Sequence, residues 1–279
     1  MPASVREYTE RLSESRPFLL IVSVIIGIIL FNVLIGIPKV GTITLDTAFM
    51  SGKTKNDIVD MVQYATNDPS IKAVVITIDS PGGEVSKIEE IYLEVLKLKA
   101  KKPVVVSVDG NALSGGYYVA SAANFMYVKP SSEIGNIGVI STLPEPWKPE
   151  SELITTGPFK VMGTSRKNYA VQMEAAKQAF LISVISQRGE KLHIDAERLS
   201  RAEVFLGAEG VNYGLADAVG TGSDAVQKAA NLAGIANYET LNINKAMNIT
   251  FSGSFHGLAE FNKTTTPMNY YLYEELSEE

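Results

Sequence analysis

With 279 residues, 46% of them hydrophobic, the chain is long enough to bury a sizeable core. A net charge of −6 with no basic stripe excludes binding through nucleic-acid phosphates, so no nucleic-acid partner is expected. The absence of cysteine excludes disulfides and thiolate ligands, and two distant histidines, His193 and His256, make no zinc site; neither metal nor cofactor is expected.

Residues 1–16 carry Arg6, Arg11 and Arg16. The next 22 residues, Pro17–Pro38, contain no charge and are rich in Ile, Leu, Val and Phe. At about 1.5 Å per residue, such a helix spans a hydrocarbon layer of about 30 Å. A cleaved signal peptide normally has a shorter apolar stretch of about 7–15 residues and a small-residue cleavage site. Here the run ends in Gly36-Ile-Pro-Lys39 with no Ala-x-Ala pattern. Residues 17–37 therefore read as an uncleaved single-pass anchor in the cell membrane. The arginines precede the span and Lys39 is the only basic residue before Lys53, which predicts residues 1–16 in the cytoplasm and the remainder outside.

Beyond the span the pattern alternates. Val40–Leu45 reads as a strand, and Lys53–Thr66 as a helix with Ile58, Val59, Met61 and Val62 inward. After the Asn67-Asp-Pro69 turn, the strand Ala73–Ile78 runs into Asp79-Ser-Pro-Gly-Gly83. Glu84–Ala100 reads as a helix with apolar positions close to the 3.6-residue period, and the charges from Lys97 to Lys102 as its solvated end. A strand at Val104–Val108 leads into Gly110-Asn-Ala-Leu-Ser-Gly-Gly-Tyr-Tyr-Val-Ala-Ser121, with a short helix from Ser114. Further helices are expected over Asn168–Gly189 and Asp224–Ala233. Strands alternating with helices predict an α/β fold with a mainly parallel sheet. From about Asn237 the chain turns polar, and Asn248-Ile-Thr250 and Asn262-Lys-Thr264 fit the glycosylation acceptor pattern.

Both glycine-rich turns follow β-branched strands and precede helices, so they sit at neighbouring corners of the sheet. Ser114 is thereby presented at a helix start, where backbone N–H groups favour a developing negative charge. Ser80, Ser107 and Ser121 are alternatives, but Ser107 falls within a strand and Ser121 two turns into the helix. Ordinary tight turns at both corners are the plain alternative. The two histidines lie far downstream in solvated-looking stretches, which disfavours a Ser-His-Asp arrangement. The other base suited to a serine is a lysine kept neutral by burial.

Residues from about 40 to 235 resemble the signal peptide peptidase A family, membrane-anchored Ser-Lys proteases with a crotonase-like (ClpP-like) fold. The matching pieces are Asp79-Ser-Pro-Gly-Gly83, Ala112–Ser121, Ile134-Gly-Asn-Ile-Gly-Val139, Gly157-Pro-Phe-Lys-Val-Met-Gly163 and Gly214-Leu-Ala-Asp-Ala-Val-Gly220. The resemblance implies Ser114 as nucleophile, Lys160 as general base and the Gly83 amide as an oxyanion-hole donor; the Gly115 amide is a natural second donor. Where the family usually has a serine that helps hold the lysine, this chain has Asn136, whose carbonyl can accept from the lysine while its amide donates elsewhere. The stretch from Val139 to Lys160 is short and contains Pro144, Pro146, Pro149 and Pro158, so a helix found in many relatives is expected to be missing. Lys148, among prolines and glutamates, and Lys167, at a helix start, are the competing bases.

The resulting expectation is a peptidase domain over 40–236 and an extension of unknown role over 237–279. Its substrates are apolar peptides such as cleaved signal peptides, its neighbours the lipid bilayer and, by the family's habit, further copies in a homo-oligomer. An acyl-CoA enzyme on the same fold is disfavoured, because an exterior domain is separated from cytoplasmic CoA. A catalytically inactive scaffold has only Asn136 in its favour.

Overall fold

A computed structural model describes residue 17 and residues 19–27, 36–49, 51–141, 154–157, 159–160, 163–251 and 269–272. Its largest element is an eight-stranded sheet. β1 (Lys39–Leu45), β2 (Ile71–Ser80), β4 (Val104–Leu113), β5 (Phe125–Val128), β9 (Ala218–Val219) and β10 (Glu239–Asn242) lie side by side in the order β10-β1-β2-β4-β5-β9, all parallel. The C-terminal end of β4 pairs in parallel with β6 (Glu133–Gly135), which β8 (Val204–Leu206) borders antiparallel. A second, antiparallel sheet joins β3 (Gly82–Glu84), β7 (Ile140–Ser141) and β11 (Asn269–Leu272) in the order β3-β11-β7.

The near-continuous apolar runs of β2 and β4 exist because both faces of the parallel sheet are covered. The two-residue strand period sends Val74, Ile76 and Ile78 into one core and Ala73 and Val75 into another. The larger core also takes α1 (Gly52–Asn67), α2 (Val85–Lys99), α3 (Gly115–Ser121) and the end of α4 (Arg166–Arg188). The smaller one is closed by α7 (Gly222–Leu232), which lays Ala225, Ala229 and Ala230 against Val40, Ala73, Val75 and Val105. The short helices α5 (Ala196–Leu199), α6 (Gly207–Asn212) and α8 (Ile243–Ala246) fill the connections.

The charges between Lys97 and Lys102 are not simply a solvated helix end. Lys102 Nζ donates to the carbonyls of Ala65 (2.5 Å) and Asp68 (2.6 Å), tying the end of α1 to the turn after α2. Lys99 Nζ donates to Gln187 Oε1 (2.8 Å) and Ala123 O (3.2 Å), and burial pushes its pKa down. Nor does the sheet stop at residue 236. Thr240 pairs with Val40, and the Asn244 side chain both accepts from Thr44 N (2.8 Å) and donates to Thr44 O (3.0 Å), continuing the ladder. Of the expected span, residues 19–27 are helical, and most of the rest lies outside the described residues, as do 1–16, Lys148 and His256. Among the described residues no helix is long and apolar enough to cross a membrane.

Candidate active site

Among the described residues three serines begin helices, and one behaves differently. Ser51 and Ser165 sit in extended backbone, and their hydroxyls accept from Thr54 N (3.0 Å) and Asn168 N (3.2 Å), as helix-capping serines do. Ser114 has φ 50° and ψ −118° and makes no capping bond. Its N–H donates to Gly135 O (2.9 Å), fixing the corner between β4 and α3 to the end of β6. Ser114 is 1% exposed, and its Oγ has no hydrogen-bond partner. Backbone of this kind costs about 1–3 kcal/mol in a non-glycine residue, and a buried unpaired hydroxyl costs about 1–3 kcal/mol more. Both costs fall on this one residue. The other serines are occupied or turned away. Ser80 Oγ donates to Thr47 O (2.7 Å) and Ser121 Oγ to Tyr118 O (2.7 Å), while Ser107 is paired inside the sheet between Thr77 and Tyr127.

The second wall is the turn from β2 into β3. A Cβ on Gly83 would lie 2.3 Å from Phe49 O, and one on Gly116 would lie 2.6 Å from Ser80 O. Only glycine lets these backbones approach so closely, and the second contact presses the first turn of α3 against the end of β2. Phe49 N donates to Gly82 O (2.8 Å), and Glu84 N donates to Phe49 O (3.1 Å). Because neighbouring residues of a strand direct their backbone groups to opposite edges, the Gly83 N–H points away from Phe49. Gly115 is the first residue of α3, buried beside Ser114. The structure thus gathers Ser114, Gly115 and Gly83 at one corner, since α3 packs against β3.

Asn136 belongs to the same corner, directly after the Gly135 that holds Ser114. It has φ 54°, its N–H donates to Glu203 O (2.8 Å), and its Nδ2 donates to Ala202 O (2.9 Å). The Asn136 amide thus donates to the backbone that follows α5. Lys160 lies in an exposed turn with Ile154 and Phe159, which are 94% and 51% exposed, and it makes no hydrogen bond to Ser114 Oγ. Of the apolar residues expected to take its amine out of water, Phe159 is about half exposed, and Pro158, Val161 and Met162 lie outside the described residues. Lys167 is exposed in the first turn of α4. His193 is exposed, with Nδ1 3.3 Å from Asn212 O, on a loop that lends no base to Ser114.

One buried group near the site escaped the sequence reading. Arg188, at the end of α4, places NH1 2.8 Å from Asp217 Oδ2 and donates Nε to Gly214 O (2.8 Å). Asp217 also accepts from Lys191 Nζ (2.6 Å) and from Met126 N (2.8 Å). Burial pushes the Asp217 carboxyl up, but the bonds and charge of Arg188, with Lys191 and the Met126 N–H, hold it below the usual carboxylate range. Tyr117, three residues after the serine, donates its hydroxyl to Leu215 O (2.8 Å), and burial pushes its phenol well above the usual value. The cluster bolts α3 and α4 onto β5. Its signal lay in Gly214–Gly220, a motif whose one acid precedes a strand, but its partner Arg188 is 29 positions away.

Residues 33–134 match the Clp protease family, and the architecture is the ClpP-like α/β fold with a mostly parallel sheet. Protease 4 of Salmonella typhi is 31% identical over 186 residues, covering 62% of this chain and 30% of that protein. A putative protease of Methanocaldococcus jannaschii is 28% identical over 227 residues, covering 77% of this chain and 68% of the relative. A putative signal peptide peptidase of Enterococcus faecium is 25% identical over 173 residues, with 57% and 50% covered. The chain thus spans about a third of the Salmonella protein's length. Residues 96–236, which run from the end of α2 to just past α7 and include Ser114, Asn136 and Asp217, match the profile described as peptidase family S49, and the chain belongs to that family.

Proposed function

We propose that this chain is a serine peptidase with Ser114 as its nucleophile. The observation that carries the reading is the buried, unpartnered Oγ of Ser114 on strained backbone between Gly83 and Gly115. Ser114 Oγ attacks the carbonyl carbon of a bound peptide, and the N–H groups of Gly83 and Gly115 receive the oxygen as it becomes negative. A base takes the serine proton and passes it to the leaving amine; water then hydrolyses the acyl-enzyme ester, and the serine is restored. Lys160 is the proposed base, with Asn136 Oδ1 orienting its ammonium. For this Lys160 must leave its exposed turn and be covered, and a neighbouring copy of the chain is the proposed cover. The exposed Ile154 and Phe159, and Val171, Ile182 and Ile185 on α4, support such an assembly. The uncharged run Pro17–Pro38 supports a membrane anchor, with apolar peptides such as spent signal peptides as substrates.

A fluorophosphonate probe and an apolar fluorogenic peptide test the reading together. Labelling should fall on Ser114, and Ser114→Ala should abolish both labelling and cleavage. A Ser114→Ala chain that cleaves at the wild-type rate refutes it. Proteolysis of right-side-out vesicles should degrade the domain and spare residues 1–16.

A further inference from the structure

The segment after α8 contains a triplet that the peptidase reading leaves unused, Asn248-Ile-Thr250. Three asparagines lie close together here, and two of them hold the fold. Asn242 Oδ1 accepts from Lys245 N (2.9 Å) and caps α8, and the Asn244 side chain extends the ladder beside Thr44. The Asn248 side chain is exposed and hydrogen-bonds to nothing among the described residues.

The backbone presents this triplet to solvent. Met247, Ile249 and Phe251 pack on the larger core, while Asn248 and Thr250 between them are exposed. The turn itself is fixed: Met247 N donates to Ile243 O (3.0 Å), Asn248 N to Lys245 O (3.2 Å) and Ile249 N to Asn244 O (2.9 Å). Asn248 has φ 55°, a conformation that asparagine tolerates directly after a helix. That conformation accounts for an asparagine at 248. It does not account for the exposed hydroxyl two residues later. An asparagine followed at that spacing by threonine, both open to solvent, is the acceptor that N-glycosylation requires on a domain outside the cytoplasm.

We propose that Asn248 is an N-glycan attachment site, with a lipid-linked saccharide as the sugar donor. The inference rests on the reading of residues from about 40 onward as lying outside the cytoplasm. In the transfer, Asn248 Nδ2 forms a bond to C1 of the first sugar and gives up a proton. The bond from C1 to the lipid diphosphate breaks, and the carrier leaves with the electron pair. α8 follows β10, and β1 and β2 stand between β10 and the strand that ends at Ser114. A hydrated glycan at this place guards the β10 edge of the sheet against pairing with other chains.

The test is mass spectrometry on the full chain purified from its native membranes. The tryptic peptide 246–263 holds both acceptor patterns, and fragmentation assigns a sugar to Asn248 or to Asn262, which lies outside the described residues. The wild type should carry sugar at Asn248. Thr250→Ala, made in the same cells, should lose that mass, and Thr250→Ser should keep it. Both variants leave Asn248 itself in place, so the loss reads recognition of the hydroxyl rather than a broken turn. An unmodified Asn248 in the wild type overturns the inference. So does sugar at Asn262 alone, or sugar at Asn248 that survives Thr250→Ala. Proteolysis of right-side-out vesicles reports separately on the topology. A domain found outside with Asn248 bare sinks this inference alone, whereas a domain found inside sinks both.

Discussion

Around Ser114 the chain is enclosed on every side: Leu113, Gly115, Gly116 and Tyr117 are buried, and α3 is pinned through Tyr117 and the neighbouring Arg188–Asp217 pair. Around Lys160 the reverse holds, with Ile154, Phe159 and Lys160 itself facing outward. α4 shows the same division within one helix. Its last third buries Phe180, Leu181 and Val184, whereas Arg166, Lys167, Ala170 and Val171 are exposed. The difference teaches that Ser114, the proposed nucleophile, is positioned by the core of a single chain. The proposed base, Lys160, lies in an exposed turn instead, so in the proposed mechanism its placement depends on what covers it.

That contrast can be broken in several ways. Ser114→Ala should lower kcat/KM for an apolar peptide by a factor on the order of 10⁴ or more while circular dichroism stays unchanged. Lys160→Ala should lower kcat by about 10²–10⁴-fold, whereas Lys167→Ala should keep most activity. The opposite ranking would move the base to the start of α4. Activity per chain should also fall on dilution for the wild type if a second copy covers Lys160, a loss that thermal melting of the core would not follow.

Stability measurements sharpen the other side. Arg188→Ala leaves Asp217 buried without its main partner and should cost about 3–5 kcal/mol in urea unfolding. Asp217 has a depressed folded pKa, so its contribution is complete above the unfolded value of about 3.9 and disappears as pH falls through the folded value. The wild-type stability curve should drop in that acid window, and the Asp217→Asn curve should be flatter there. Gly83→Ala must displace Phe49 and should cost about 1–3 kcal/mol as well as activity. Ser114→Gly should do the opposite to stability. It relieves the positive φ and removes the unpaired hydroxyl, so the inactive chain should be about 1 kcal/mol more stable.

Much of the scaffold was legible because its signals are local. The apolar runs of β2 and β4, the periodicity of α2 and the glycines flanking Ser114 each declare themselves within a few residues. Ser114 itself could be chosen, but not its backbone angles, which come from the bond to Gly135 and the pressure of Gly116 on Ser80. Lys99 and Lys102 read as solvent-facing because their acceptors are carbonyls and a glutamine from distant segments. β10 and β11 were hidden for the same reason: short polar strands take their conformation from the strand they join. Lys160 is a different case, since the apolar residues beside it suggested burial, whereas Lys160 and Phe159 are exposed.

The pairing of β10 with β1 bears on how the protein avoids sticking to itself. β1 has seven residues with four of them buried, and an unpaired strand of that kind is a template for other chains. β10 covers it with four residues, Glu239-Thr-Leu-Asn242, that are mostly exposed and too short to recruit a further strand. The far edge ends in β9, only two residues long. A chain cut at residue 236 would keep most of its core and the whole Ser114 corner, yet it would bare the apolar edge of β1 and should aggregate through it.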